Sequence, residues 1–249
     1  MHDKDWAACG FAEGGLYNAA RPGYPPEAMD FFVEVFGLND ASHVLDLGAG
    51  TGIFTRQLLA RVVRLTAVEP SESMRATFAI ETPGVEILDG SDVAIPLGDR
   101  EVAAVFAAQA FHWFDSPRAL REIHRVLVPG GGLGLIWNER DTEVSWIREL
   151  NHAMLWDVRQ PYDAGVDFGA IVSAGPFRDV RRETYRHAQL LTQGQVLQRV
   201  LTTSYITLMG DSEREALIDD VAAVVSQLPD LVEMPYATNV YVAFARDVA

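Results

Sequence analysis

The sequence predicts an α/β protein, a Rossmann-like, doubly wound, mainly parallel seven-stranded sheet with an antiparallel edge strand and a helical cap insertion. Two observations carry that expectation. Short apolar runs alternate with segments of helical period up to Trp137, which is the rhythm of strand–helix–strand crossovers. The stretch Val44-Leu45-Asp46-Leu47-Gly48-Ala49-Gly50-Thr51-Gly52 ends an apolar run in an acidic residue, breaks into glycines at every second position, then opens an amphipathic helix. That order reads as buried strand, tight turn and helix start.

The elements follow in chain order. Residues 26–36 form a helix that packs on a sheet face, and Val44–Leu47 is the first strand. Ile53 to about Ala60 is its helix, with Phe54, Leu58 and Leu59 on the apolar side. Leu65–Val68 is a second strand ending at Glu69-Pro70, and Ser71 caps the following helix, which contains Met74. Val85–Leu88 is a third strand. Val102–Ala108 is a fourth, almost wholly apolar, as a strand covered on both faces should be. A helix opens at Ser116-Pro117, runs from Arg118 to Leu127 and stops at Pro129-Gly130-Gly131-Gly132; Leu133–Trp137 is the fifth strand. Beyond it the rhythm loosens. Helix is expected over 143–158, a loop to Gly175-Pro176, a sixth strand over Val180–Tyr185, helices over 193–208 and 212–227, and a seventh strand, Thr238–Ala245, near the sheet edge.

Composition bounds the function. The 249 residues are 49% hydrophobic, enough for one sizeable core, so one domain with an insertion is expected over two independent domains. With 20 Lys and Arg against 35 Asp and Glu, the net charge is −15, which speaks against a nucleic-acid surface while leaving room for local arginines on a small anion. The single cysteine, Cys9, excludes an internal disulfide and a cysteine-based metal cluster, and no metal is expected. The charged start, Met1-His2-Asp3-Lys4-Asp5, leads into no long apolar run, so no signal peptide or membrane span is read and a cytoplasmic enzyme is expected.

The glycine turn points to a nucleotide-like cofactor. Side chains at Gly48, Gly50 and Gly52 would block close approach of a ligand to the backbone, Ala49 included. A dinucleotide turn reads G-x-G-x-x-G; here the spacing is G-x-G-x-G, with Ile53 where the third glycine would stand. Asp46 beneath the turn would repel a pyrophosphate and suit an ammonium group, directly or through water. The segment resembles the first motif of the class I S-adenosylmethionine-dependent methyltransferases, small-molecule type, similar to the trans-aconitate methyltransferase-like group. That resemblance is strong over about residues 11–141 and weak over Glu233–Arg246.

The resemblance implies roles for further residues. Glu69, at the end of the second strand, would accept from both ribose hydroxyls, with Pro70 and Met74 beside it. The segment Asp89-Gly90-Ser91-Asp92-Val93 departs from the family's G-D-A-E-x-L-P pattern; Ser91 stands at the acidic position, so Asp92 with the Val93 N–H is assigned to adenine. In Gln109-Ala110-Phe111-His112-Trp113, the Gln109-Ala110 backbone would approach the methionine part and Trp113 the adenine. His112 is the candidate general base or orienting group. Tyr17 and Arg21, in a Y-x-x-x-R-P-x-Y-P segment, would close over the methyl group and pair with the cofactor carboxylate. Trp137, Asn138, Trp156 and Tyr205 are candidate substrate contacts with Tyr17 and His112, while His124 is given no catalytic role.

The expected layout is one domain over 1–249, with an N-terminal helical lid over 1–37, a cofactor-binding core over 38–141, and a substrate-side half over 142–249. The expected activity is methyl transfer from S-adenosylmethionine to an O, N or C nucleophile of a small molecule, a carboxylate or an aromatic metabolite among them, by a monomer or homodimer. The rival readings are a nicotinamide-dependent oxidoreductase, which the glycine spacing opposes, and a non-catalytic S-adenosylmethionine-binding protein.

Overall fold

A computed structural model describes residues 21–62, 64–156, 166–207 and 209–246. Tyr17 and Cys9 lie outside them, as does most of the expected N-terminal lid. Seven strands form one mixed sheet, mostly parallel with antiparallel strands toward one edge, in the order β3-β2-β1-β4-β5-β7-β6. The strands are β1 (His43–Leu47), β2 (Arg64–Val68), β3 (Glu86–Leu88), β4 (Val102–Ala108), β5 (Leu127–Arg140), β6 (Phe177–Thr192) and β7 (Leu231–Ala245). β3, β2, β1, β4 and β5 pair in parallel, with Asp46 of β1 opposite Ala67 of β2 and Phe106 of β4. The chain order reverses between β1 and β4, so the carboxyl ends of those two strands form the switch point at which open α/β sheets bind ligands.

The chain divides into two compact units. The first comprises Gly23–Asn138, Asp167–Tyr185 and the chain from Thr238; the second comprises the chain to Pro22, Glu139–Val166 and Arg186–Ala237. In the first, α1 (Pro26–Phe36) opens on two prolines and ends at Gly37, whose left-handed backbone lets Gly37 and Leu38 donate to the Glu34 and Val33 carbonyls. α1 buries Ala28, Met29 and Phe32. Phe32 meets Phe106 of β4 edge-on at 5.0 Å, and Phe54 of α2 (Ile53–Leu58) lies 5.6 Å from Phe106. This aromatic group holds α1 and α2 on one sheet face. α3 (Glu72–Glu81) is capped by the Ser71 hydroxyl, which accepts from the Met74 N–H, as expected. α4 (Ser116–Val126) buries Ala119, Leu120, Ile123 and Val126, one stripe at helical spacing.

In the second unit α5 (Ser145–Ala153), α7 (Gln193–Leu201) and α9 (Asp211–Val225) share an apolar cluster with Leu191, Val232, Met234 and Tyr236. Thr192 and Gln195 close a reciprocal capping box at the start of α7. The expected helix over 193–208 is broken after Leu201, and a single turn, α8 (Ser204–Thr207), follows.

Other elements also differ from the sequence expectation, β5 among them, which runs from Leu127 to Arg140. α6 (Phe168–Ser173) stands where a loop was read; it is short and contains a glycine, and its one signal is Asp167, whose side chain accepts from the Ala170 N–H. β6 extends well beyond Val180–Tyr185 and lies at the edge. Its Arg181, Arg182, Glu183 and Arg186 are exposed, and a strand protected by charge shows no apolar alternation. β7 begins at Leu231 and inserts between β5 and β6, one place in from the edge.

Asn138, near the end of β5, ties the first unit together. Its Nδ2 donates to the Gly23 carbonyl at 2.9 Å, its Oδ1 accepts from the Thr238 hydroxyl at 2.6 Å, and its carbonyl accepts from Gln109 Nε2 at 3.1 Å. Asn138→Ala should cost about 1–3 kcal/mol, because it strands the buried Thr238 hydroxyl. Urea unfolding of the variant beside the parent checks this.

Candidate cofactor site and family

The turn after β1 is built from three glycines with different reasons to be glycine. All three have left-handed backbone, φ being 74° at Gly48, 55° at Gly50 and 84° at Gly52. A Cβ at Gly48 would lie 2.8 Å from the Ala110 methyl, and one at Gly52 would lie 2.5 Å from the Thr82 hydroxyl and 2.9 Å from the Phe78 ring. Those two are small because the protein's own atoms fill the space. A Cβ at Gly50 would meet nothing within 4 Å. Of the three glycines grouped by the sequence reading as ligand-facing, Gly50 therefore borders open space, while Gly48 and Gly52 let the turn seat against β4's end and α3.

Two carboxyl groups flank this turn. Glu69, 8% exposed, accepts from the Gly50 N–H through Oε2 and from the Ser71 N–H through Oε1, both at 2.9 Å. Burial raises its pKa, opposed by those two N–H bonds and by Arg75. Each oxygen keeps a further acceptor site. Asp46 is fully buried; its Oδ2 accepts from the Thr55 hydroxyl and its Oδ1 has no partner. Desolvation pushes its pKa up to about 7, against the Thr55 bond and with Glu69's charge adding to the rise. Asp46 thus differs from the fixed charge the sequence suggested. Its charge at neutral pH depends on a donor or cation reaching Oδ1, and an orphaned carboxyl oxygen at the end of the strand that leads into the glycine turn fits a ligand carrying an ammonium group.

The end of β4 supplies the other wall. Gln109 holds a left-handed backbone, φ 55°, rare for a residue with a side chain, fixed by its N–H on the Ile136 carbonyl at 2.9 Å and its amide on Asn138. Ala110 touches the glycine turn. A one-turn 3₁₀ helix, Phe111–Trp113, then presents His112. Trp137 Nε1 donates to His112 Nδ1 at 3.3 Å. An indole nitrogen only donates, so His112 Nδ1 carries the lone pair and Nε2 the proton. Desolvation lowers the His112 pKa to about 4.

The remaining candidates fall in several places. Trp137 is 3% exposed and stacked 4.2 Å from Phe168, so it supports His112 from the core instead of presenting a ring to substrate. Met74, 4% exposed, packs in the core of α3, and its N–H meets Ser71. Ser91 bridges Ala94, and its hydroxyl accepts from the Val93 N–H; Asp92 accepts from the Asp115 N–H at 2.7 Å, anchoring the start of α4. Trp113 lies 4.8 Å from the His112 ring. Arg21, Trp156 and Tyr205 belong to the second unit, where Arg21 donates to the Thr202 carbonyl at 2.9 Å. Thr55, which the sequence reading passed over, is the group that holds Asp46; its spacing of nine residues from Asp46, across a turn, left no periodic signal.

Comparison with known proteins decides the family. A profile described as a methyltransferase domain matches residues 45–135. The uncharacterised methyltransferase Rv3342 of Mycobacterium tuberculosis is 36% identical over 229 residues, covering 90% of both chains. This chain belongs to the methyltransferase family. Among solved structures, one from Anaeromyxobacter dehalogenans, provisionally named a type II methyltransferase, is similar with a TM-score of 0.66 and 24% identity, covering 91% of this chain and 97% of that one. A phosphoethanolamine N-methyltransferase 2 of Haemonchus contortus, solved with phosphomonomethylethanolamine and S-adenosylhomocysteine, has a TM-score of 0.60 at 15% identity, covering 99% of this chain and 61% of that one. Membership accords with the class I methyltransferase sheet order and opposes the nicotinamide reading. Among the described residues, no helix of this methyltransferase is long and apolar enough to cross a membrane.

The different surroundings of two glycines allow a test. Gly52→Ala should destabilise the methyltransferase by well over the roughly 1–2 kcal/mol of left-handed strain alone, because Thr82 and Phe78 must move. Gly50→Ala should cost that strain and little more. Thermal unfolding of both variants gives the comparison.

Proposed function

We propose that this methyltransferase takes its methyl group from S-adenosylmethionine and delivers it to a nucleophile of a small molecule. The observation that carries the reading is the orphaned Asp46 Oδ1 at the end of β1, at the switch point where the following turn borders open space at Gly50. When bound, S-adenosylmethionine supplies an electrophilic methyl on a sulfonium. Everything else is the work of the chain. Asp46 accepts from the ammonium group, directly or through water. Glu69, already fixed by Gly50 and Ser71, takes the ribose hydroxyls on its remaining lone pairs. The Ser91–Val93 turn borders the adenine, and the strained Gln109-Ala110 backbone borders the methionine part.

For the acceptor, the His112 tautomer sets the role. Nδ1 is occupied by Trp137 and the ring stays neutral, so the free nitrogen is a donor. His112 holds an acceptor oxygen or another lone pair in line with the methyl group; it does not take the proton. Catalysis then rests on positioning and exclusion of water. A net charge of −15 favours a small-molecule acceptor over a nucleic acid.

Asp46→Asn should weaken S-adenosylmethionine binding by about tenfold to a hundredfold in calorimetric titration, the range for a hydrogen bond to a charged group. Unchanged affinity would overturn the assignment. The same variant should be more heat-stable than the parent without ligand. The native carboxyl keeps its proton up to about pH 7, whereas an unfolded one loses it in the ordinary carboxylate range, so the parent's stability falls as pH rises between them. The gain should therefore be larger at about pH 8 than at about pH 5.

His112→Ala should lower kcat by about tenfold to a hundredfold with little effect on cofactor affinity. The parent's kcat should show no ionisation limb from this group between about pH 5.5 and 7.5. A limb near pH 6.5 that vanishes in His112→Gln would make His112 a base after all.

A further inference from the structure

Among the described residues of the second unit, Arg140 and Arg199 keep shielded guanidinium nitrogens that nothing pairs with. Arg140, the last residue of β5, donates through Nε to the buried Asn151 Oδ1 at 2.8 Å and lays its guanidinium over the Trp156 ring at 4.0 Å. Its Nη2 is shielded from solvent and has no partner. Arg199, in the last turn of α7, is 6% exposed, and its Nε is shielded and has no partner. The nearby Thr203 hydroxyl, in a residue 5% exposed, is also buried without a partner. Arg21 adds a third positive group, seated on the Thr202 carbonyl that follows α7. Burial, then the like charges of Arg199 and Arg21, lower the Arg140 pKa to about 9.

No shortage of carboxylates explains this. The chain has 35 acidic residues, and elsewhere arginines are matched with them: Arg61 with Asp30, Arg75 with Asp89, Arg125 with Asp99 and Glu122. A shielded guanidinium nitrogen without a partner is costly, in the buried Arg199 and in the partly buried Arg140 alike, unless something supplies negative charge. Asn151 and the Trp156 face fix the plane of Arg140, so its unused N–H groups are pre-aimed, as forked recognition of an oxyanion requires. Trp156 and Tyr205, whose ring centres are 6.2 Å apart, add aromatic surface beside those donors.

We propose that Arg140 and Arg199 form an anion-binding site in the second unit, made for a small organic molecule that carries a carboxylate or phosphate group. The site shares no residue with the Asp46–Glu69 turn, and its ligand is held by guanidinium N–H donors with the aromatic rings against its carbon skeleton.

The test uses the full chain at low ionic strength. Inorganic phosphate, succinate and benzoate are titrated calorimetrically, with benzamide as the neutral match for benzoate, each with and without saturating S-adenosylhomocysteine. At least one anion should bind saturably in the presence of S-adenosylhomocysteine, and benzamide should not. Arg140→Gln and Arg199→Gln should each weaken that binding by about tenfold or more. S-adenosylmethionine affinity, read on the same samples, should stay at the parent's value. Failure of the cofactor reading is thereby seen apart from failure of this one. Arg199→Met should melt at or above the parent's temperature without ligand, because it removes an uncompensated charge, and should lose the rise in melting temperature that the anion gives the parent. If a glutamine variant loses cooperative melting, Arg199→Met and Arg140→Lys give the binding comparison. Binding that is equal in parent and variants, absent for all three anions, or abolished by S-adenosylhomocysteine would overturn the proposal; abolition would assign the arginines to the cofactor's own carboxylate.

Discussion

Parallel pairing of β1 with β4 is the constraint on which the candidate cofactor site depends. It brings two strand ends together where the chain order reverses, and each end must turn sharply away. The β1 end does so with three left-handed glycines, the β4 end with a left-handed Gln109. The contact between them, Gly48 against Ala110, leaves no room for another methyl group. Neither turn is free to relax independently, because Gln109 is bonded to β5 through Ile136 and Asn138, and the glycine turn is bonded to β2 through Val68 and Glu69. Rigid seating of this kind costs stability locally and is retained where geometry matters to function.

Among the described residues, shielded charged groups with an unmet atom carry both signs. Asp46 in the first unit is a carboxyl with one oxygen unmet; Arg140 and Arg199 in the second are guanidinium groups with nitrogens unmet. Buried polar groups in native proteins are normally paired, so unmet ones ask for a cause. On the two proposals made above, a common cause accounts for both: each is the protein's half of an interaction completed by another molecule. The pKa displacements point the same way, since Asp46 is pushed toward neutrality and Arg140 is pulled toward it, the response of charges that lack their partners.

Most of the first unit was legible in the sequence, because its strands are covered on both faces and its helices carry strong apolar stripes; β4 was read to the residue, and the Ser71 cap from its side chain alone. The chain beyond Trp137 was harder. Charge on the exposed β6 hid a long edge strand, and α6 was too short to show a period. Within the site, residue types told which groups matter but not what they already touch. Asp46 and Glu69 were visible as acidic residues at strand ends; that one is orphaned and the other committed to two N–H groups is a consequence of packing. Trp137 was read as a substrate contact because aromatic residues at a rim suggest one, and its burial against Phe168 follows from α6, which the sequence did not reveal.

That displacement of Trp137 changes the chemistry available to its neighbour. Had the indole faced solvent, His112 would have kept both nitrogens available and an ordinary titration, the properties of a general base. With the indole N–H spent on Nδ1, the imidazole offers one donor and no acceptor, and desolvation removes the protonated form from the neutral range. The stack of Phe168 on Trp137 thus fixes a tautomer: a helix turn, an indole and an imidazole lie in series, and on the proposed reading the reacting group is oriented by His112 while any proton it must lose goes to solvent or to the acceptor's own groups. A nucleophile that is already deprotonated, or that bears a lone pair at neutral pH, is the kind this arrangement can use.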